Sequence, residues 1–588
     1  MGIPRFAGHL QHYSVSTTLG QKRVHDDDSD TVRVDPPRFV IDGPGLAYHL
    51  YYRLAHRSTS LGAFDTLPSY DQIGQAAIVF LSEIEAHHVQ ISHIYFDGHL
   101  PLHKRHVRLS RLESNLKDLT KVRTQYANGL GVSDLSSKPS PWTASQLFNS
   151  FHSVPHLLRG LPPPPFLVPA VLDALGTTRY ASITEVVPGE ADASCAKAAK
   201  DQGGMILTSD SDLLVYNIGD NNAVLFFSGL EIHEEASATH VISVLKANIY
   251  PTAQIAKRLE LPGLQQLAYH CKLDPTVSFA EARRRAHQPM LDESSWRCFQ
   301  DEYSTPDFDE SCQDTSLLVR LRGSLDPRLS EFILQLSPLA REVDTNIYLP
   351  FLIEDPSRAS AWYISSLIRQ TIYLVIAARI SSLPASLPLR AVTEFSRRGL
   401  RIVPSTVPLS TSTAPTAQRL DNSNIRNISS RLQKTKERFR VVSPTFRYRI
   451  YALKEIYCWY VVNIKNPPSK SSITRTTTGS VGSLVQWEDI HLEAQIQAVL
   501  YALRMVKQGL SYIADGKAGV EGIVELKDIL EDLPPLSGLL PTFAELRGFA
   551  EKEKIEVSQV VLYVMQIEDA ENQFEDGGNV GTTEKSAQ

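Results

Sequence analysis

Short apolar runs separated by helical patterns make up the first 230 or so residues of the chain. Residues 38–43 (RFVIDG) and 91–98 (ISHIYFDG) are rich in Val, Ile, Phe and Tyr and end in Asp-Gly. Residues 181–188 (ASITEVVP), 203–210 (GGMILTSD) and 222–230 (NAVLFFSGL) are similar. Such runs predict strands buried on both faces. Between them, Ile73, Ala77, Phe80 and Ile84 recur on one face of a helical pattern over 73–88. A second helical pattern follows Glu190 through Ala193, Ala196 and Ala199. Alternating strands and helices predict an α/β fold with a parallel, doubly wound sheet.

The rhythm breaks between about 124 and 165, a stretch that ends in LPPPPF and is read as an insertion. From about 240 onward the pattern is mostly helical, clearest at 489–505, where Leu492, Ile496, Val499 and Leu503 repeat at helical spacing. The run TIYLVIAARI at 371–380 is too short to span a bilayer and predicts a buried core helix. Two Ser/Thr/Pro-rich stretches, 404–417 and 466–483, predict flexible loops, and the acidic end from Glu568 predicts disorder. The expected plan is a sheet domain over 1–275 and a helical region over 276–403. A linker over 404–435, a helical region over 436–567 and an acidic tail over 568–588 follow.

Charge narrows the function classes. The 59 basic residues against 65 acidic ones give a net charge of −6, so any nucleic-acid contact must come from a local basic patch. The five cysteines, Cys195, Cys271, Cys298, Cys312 and Cys458, are widely spaced with no CxxC pair. That argues against a disulfide framework or a structural zinc site and for a reducing compartment. The opening MGIPRFAGHL has no apolar signal core. The expectation is a soluble nuclear or cytoplasmic protein with no membrane contact.

The chemistry gathers at strand ends, where open parallel sheets bind ligands. Asp42 closes the first run and Asp97 the second. Glu190 and Asp192 follow the third, and Asp210 and Asp212 the fourth. Any one of them has a bland reading as a turn residue or helix N-cap. Six at the same ends of successive strands are harder to read as six caps. Brought together, the carboxylates would repel and some would stay protonated. A pair of divalent cations removes the repulsion, and all-oxygen donors suit Mg²⁺ or Mn²⁺. Two such ions about 4 Å apart would clamp a scissile phosphate for hydrolysis.

In order along the chain, MGI, VIDG, YFDG, PGEADASCA and TSDSDLL resemble the flap-endonuclease/XPG superfamily, and most closely its asteroid branch. The resemblance implies a PIN-like fold and a Mg²⁺-dependent, structure-specific DNA nuclease acting on junctions or overhangs. It implies that Asp42, Asp97, Glu190, Asp192, Asp210 and Asp212 hold metal, with Asp192 standing where the family has Glu. The nearest match to a seventh acid is Asp274, in HCKLDP. Lys104 and Arg111 fall where the family places active-site cations, on a face shared with Arg108. Gly2 matches a residue that approaches the substrate backbone, and Tyr48 stands where an aromatic can stack on a base. The family's glycine-rich duplex-binding motif has no counterpart in 275–300, where Arg283, Arg284 and Arg285 could contact phosphates instead.

Elsewhere, HDDDSD at 25–30 reads as a solvated loop, and Arg397, Arg398 and Arg401 or Lys434–Arg440 as weak basic signals. Two functions remain in view. One is a metal-dependent DNA nuclease. The other is a non-catalytic interaction or signalling scaffold on a nuclease-like fold, with partners taken through the helical half.

Overall fold

The structure is a computed structural model that describes residues 2–22, 36–56, 64, 67–132, 142–149, 160–236, 241–290, 292–304, 325–336, 345–381, 391–409, 422–480, 484–513 and 522–566. The acidic run at 25–30 and the tail at 568–588 lie outside these residues. So do 133–141 and 150–159 of the expected insertion, 410–421 of the expected linker and 481–483 of the expected loop.

The strands are β1 (Val15–Lys22), β2 (Arg38–Asp42), β3 (Gln90–Asp97), β4 (Leu130–Gly131), β5 (Thr184–Val187), β6 (Met205–Thr208), β7 (Ala223–Ala236) and β8 (Val241–Tyr250). All but β4 form one sheet in the order β1-β8-β7-β6-β2-β3-β5. The run β7-β6-β2-β3-β5 is parallel. β8 returns antiparallel to β7, and β1 antiparallel to β8. The five expected strands are the parallel ones, so the α/β, doubly wound reading holds. At 181–188 only the last part is strand, because Arg179–Ile183 coils into a 3-10 turn first.

The alternation in β2 shows why both faces carry helices. Phe39 and Ile41 join the core with Ile73, Ala77 and Phe80 of the helix Tyr70–Ala86. Val40, between them, joins the opposite core with Ala196 and Ala199 of the helix Ala191–Gln202. The first helix opens with a capping box in which the Gln72 N–H donates to Ser69 Oγ at 3.1 Å and the Ser69 N–H to Gln72 Oε1 at 3.0 Å. Fully buried side chains such as Phe80 and Ile41 each contribute about 1.5–3 kcal/mol.

The second half is less uniformly helical than expected. β9 (Asn346–Tyr348), β10 (Ala391–Arg398) and β11 (Arg401–Pro408) form a small sheet inside and just beyond the expected 276–403 helical region. Gly399, at φ 60°, makes the tight turn between Arg398 and Arg401. The expected linker therefore begins in a strand, and it ends in the helix Asn422–Arg438. The expected loop at 466–483 contains the helix Lys470–Thr478, started by the Ser469 cap and ended by Gly479 at φ 66°. The run 371–380 lies within the helix Ser366–Ser381, as expected. Among the described residues no helix is long and apolar enough to cross a membrane.

The two halves share one core. The helix Trp487–Ile513 lays Tyr501 on Phe166, with ring centroids 4.3 Å apart, and Arg504 on Asp173 at 2.6 Å. β4 pairs with β12 (Leu484–Val485), and Trp487 Nε1 donates to the Tyr126 carbonyl at 2.7 Å. The expected insertion is thus a seat for the C-terminal half.

Candidate active site

Three of the four strand ends fix an acid through a backbone or hydroxyl donor. Asp42 accepts from the Gly45 N–H at 3.0 Å and the Thr208 hydroxyl at 2.7 Å. Asp97 accepts at 2.8 Å from the N–H of Ala191, the first residue of the helix Ala191–Gln202. The Gly98 N–H donates to the Gly189 carbonyl at 3.0 Å, which ties the end of β3 to the Glu190 turn. A Cβ at Gly98 would overlap the Val187 carbonyl, so this approach needs glycine. Glu190 occupies the N-cap position but makes no cap bond, and its carboxylate meets Lys104 Nζ at 2.7 Å. Asp210 does cap, accepting from the Asp212 N–H at 3.0 Å. Asp212 accepts from the Ile3 N–H at 2.9 Å.

All six acids line one open cavity of about 1330 Å³, together with Gly2, Tyr48, Lys104, Arg108 and Arg111. Gly2 stands at φ 95°, and a Cβ there would overlap Asp210 Oδ1 and Ser211 Oγ. Asp274 is the exception. It ends the helix Gln265–Leu273 away from the cavity, its side chain 40% exposed, and accepts from the Thr276 N–H at 3.0 Å and hydroxyl at 2.7 Å. The poor local match of HCKLDP already separated it from the other six. Two expected basic signals are also spent on protein contacts. Arg284 and Arg285 both pair with Glu281, and Arg397 is buried on Glu354 at 2.7 Å.

Crowding shows in the titration of the acids. Burial, opposed by the Gly45 and Thr208 bonds and reinforced by Asp97 and Asp210, pushes Asp42 up to about 6. Burial and the Asp210 charge push Asp212 up to about 6 as well. Burial, then Asp210 and Asp42, lift Asp192 well above the carboxylate range. Burial raises Glu190 too, against the pull of Lys104. Burial alone would lower the Lys104 ammonium, but Glu190, Asp192 and Asp212 outweigh it and raise its pKa. The acids therefore crowd one another, and Lys104 is the cation paired directly with one of them.

The donor set tests a metal reading. The six acids offer hard carboxylate oxygens, and the burial and mutual repulsion lifting four of them are what a divalent cation would offset. In donor chemistry the residues fit Mg²⁺ or Mn²⁺. Among the described residues, no three His, Cys, Asp or Glu side chains already stand grouped around a single ion position.

Sequence reasoning missed five contributors. Tyr303, buried beside Tyr216, stands near enough to Asp212 for that carboxylate to help raise its hydroxyl's pKa. Arg328 reaches the cavity from the helix Pro327–Gln335. Pro350, Phe351 and Tyr501 wall the cavity from the C-terminal half. All lie far along the chain from the acids, where no local spacing signals them.

Residues 163–409 match a family model described as XPG domain containing. The matched segment holds Glu190, Asp192, Asp210 and Asp212, while Asp42 and Asp97 precede it. No curated protein matches the chain. The match and the sheet together support a likeness to the XPG-like, PIN-like nuclease superfamily.

Proposed function

We propose that the chain is a structure-specific deoxyribonuclease of the asteroid branch, hydrolysing phosphodiester bonds with two Mg²⁺ or Mn²⁺ ions. The observation that carries this reading is the convergence of six carboxylates from four strand ends on one cavity. Asp42, Asp97, Glu190, Asp192, Asp210 and Asp212 would hold the ions, which when bound polarise the scissile phosphate and make water a better nucleophile. The protein's own contribution is orientation. The N–H groups of Gly45, Ala191 and Ile3 hold Asp42, Asp97 and Asp212 in place before substrate arrives. Lys104, kept cationic by the acids around it, and the exposed Arg111 supply positive charge for phosphate oxygens. Tyr48, half-buried on the cavity wall, offers a ring to a base.

The test is cleavage of flap, overhang and hairpin DNA with Mg²⁺ or Mn²⁺. Asp97→Ala and Asp210→Ala should each lower the rate by more than about a hundredfold, the upper end of what losing an outer-shell partner costs a metal site. If the wild type cuts none of these with either metal and shows no metal binding by calorimetry, the nuclease reading fails. Stable protein partners in a pull-down would then favour the scaffold.

A further inference from the structure

The helix Pro327–Gln335 lies beyond the expected sheet domain, yet it packs on the end of β3. A Cβ at Gly98 would stand 2.8 Å from Ser330 Oγ, so the residue after Asp97 and this helix are in near contact. One face of the helix places Arg328 on the cavity wall beside Arg108, which arrives from the helix Arg105–Gln125. The Arg328 side chain is only 12% exposed. Its guanidinium is held by Glu331 at 2.5 Å and reaches the Tyr348 carbonyl at 3.4 Å.

Compensation is uneven. Burial would lower Arg328, but Glu331, joined by Tyr501, Asp326 and Asp97, more than restores it. Burial and then the Arg328 charge hold Arg108 below its ordinary value, and Arg108 Nε is buried with no hydrogen-bond partner. Two guanidiniums thus share one buried corner beside Asp97, with Glu331 as the acid ion-paired with one of them. A buried cation left with an unmet donor calls for an anion of matching geometry. A guanidinium fork fits two oxygens of a phosphate.

We propose that Arg108 and Arg328 form a phosphate subsite beside the acid rim, holding a second phosphate of the strand whose scissile phosphate sits at the acids. This deepens the nuclease reading and rests on it. The phosphate could be internal to the strand or at its end.

Binding without turnover separates the two claims. Fluorescence anisotropy in EDTA would compare the full-length wild type, Arg328→Gln and Glu331→Gln on one oligonucleotide carrying either a 5′-phosphate or a 5′-hydroxyl. Arg328→Gln should weaken binding about tenfold and lower the log-affinity against log-salt slope by about one. Glu331→Gln should tighten binding severalfold by removing the competing carboxylate. A loss equal on both oligonucleotides assigns a chain phosphate; a loss confined to the phosphorylated one assigns the terminal group. If Arg328 only clasps Glu331 structurally, both variants melt earlier and bind as the wild type does, and the subsite is overturned. Should Arg328→Gln misfold, Arg108→Gln reads the same slope. Asp210→Ala serves as the control. Lost cleavage with intact binding there, beside unchanged binding in Arg328→Gln, sinks the subsite and keeps the nuclease; weakened binding in Arg328→Gln with no wild-type cleavage does the reverse.

Discussion

Two regions of the molecule treat buried carboxylates in opposite ways. In the C-terminal half acids meet guanidiniums. Arg369 donates to Glu394 at 2.6 and 2.7 Å, Arg397 to Glu354 at 2.7 Å, and Arg449 pairs with Glu493. At the sheet rim, Glu190 alone of the six acids is ion-paired, with Lys104, while Asp42, Asp97, Asp210 and Asp212 are held by N–H and hydroxyl donors. The first arrangement closes on itself, while the second leaves a charge imbalance that an outside cation can settle. Negative charge gathered in a fold is therefore not one phenomenon: what distinguishes a site from a strut is whether the counter-charge is already in the chain.

The comparison breaks most visibly if the paired acids prove dispensable. Glu394 takes both forks of Arg369, which is 2% exposed, and also the Tyr373 hydroxyl at 2.9 Å. Glu394→Ala leaves a buried guanidinium unpaired and should destabilise the protein by about 3–5 kcal/mol in urea unfolding. A loss under about 1 kcal/mol would remove the contrast with the rim.

Metal addition sharpens the same contrast from the other side. With Mg²⁺ or Mn²⁺ at a hundredfold excess over its Kd, the unfolding free energy at pH 7.5 should rise by about 2.7 kcal/mol. Asp97→Ala and Asp210→Ala should lose that gain, whereas a conservative change at a paired site, such as Glu493→Gln, should keep it. Equal gains in all four proteins would place the ion elsewhere.

The rim was legible in the sequence because its signals are local. A strand that ends in Asp-Gly announces both the element and the acid, and the ExD and DxD spacings fall just past strands of their own. All six acids reach the cavity for that reason. Asp274 failed because its stretch lacked the motif and its side chain serves a turn with Thr276. The antiparallel edge was missed where polar residues dilute the pattern, as in VSTTLGQK of β1. The hairpin at 391–408 did carry a signal, a Gly-Leu pair between two extended runs, but Ser, Thr and Arg along it masked the alternation. Arg328 and Tyr303 had no signal, since their roles arise only when distant elements pack.

The pH dependence is a smaller effect with a definite sign. Asp212 is pushed up to about 6 in the folded protein against an ordinary value of 3.8. The folded state therefore binds this proton more tightly than the unfolded chain does. The stability so gained is complete below about pH 4 and is lost as pH rises through about 6 in the absence of metal. Asp212→Asn cannot lose it. In EDTA the variant's stability advantage should grow from near zero at pH 4 to about 1–2 kcal/mol above pH 6.5, after allowance for the partial exposure of the carboxylate. An advantage that shrinks with pH would mean that burial and the neighbouring Asp210 do not raise Asp212.

The finest test asks whether the rim is merely crowded or also aimed. The Tyr303 hydroxyl lies near Asp212, and burial together with that carboxylate raises its own pKa, so it stays protonated at every working pH and is able to donate. Tyr303→Phe keeps the ring packing on Tyr216 and Phe299 and deletes the hydroxyl beside the acid. The expected loss is about 1 kcal/mol, read as roughly a fivefold fall in cleavage rate, with the metal-induced gain in stability largely intact. Matching losses in rate and in metal affinity would instead make Tyr303 part of the ion's support. No loss in either would leave Asp212 positioned by the Ile3 N–H alone, a single backbone donor beside the chain's first residues.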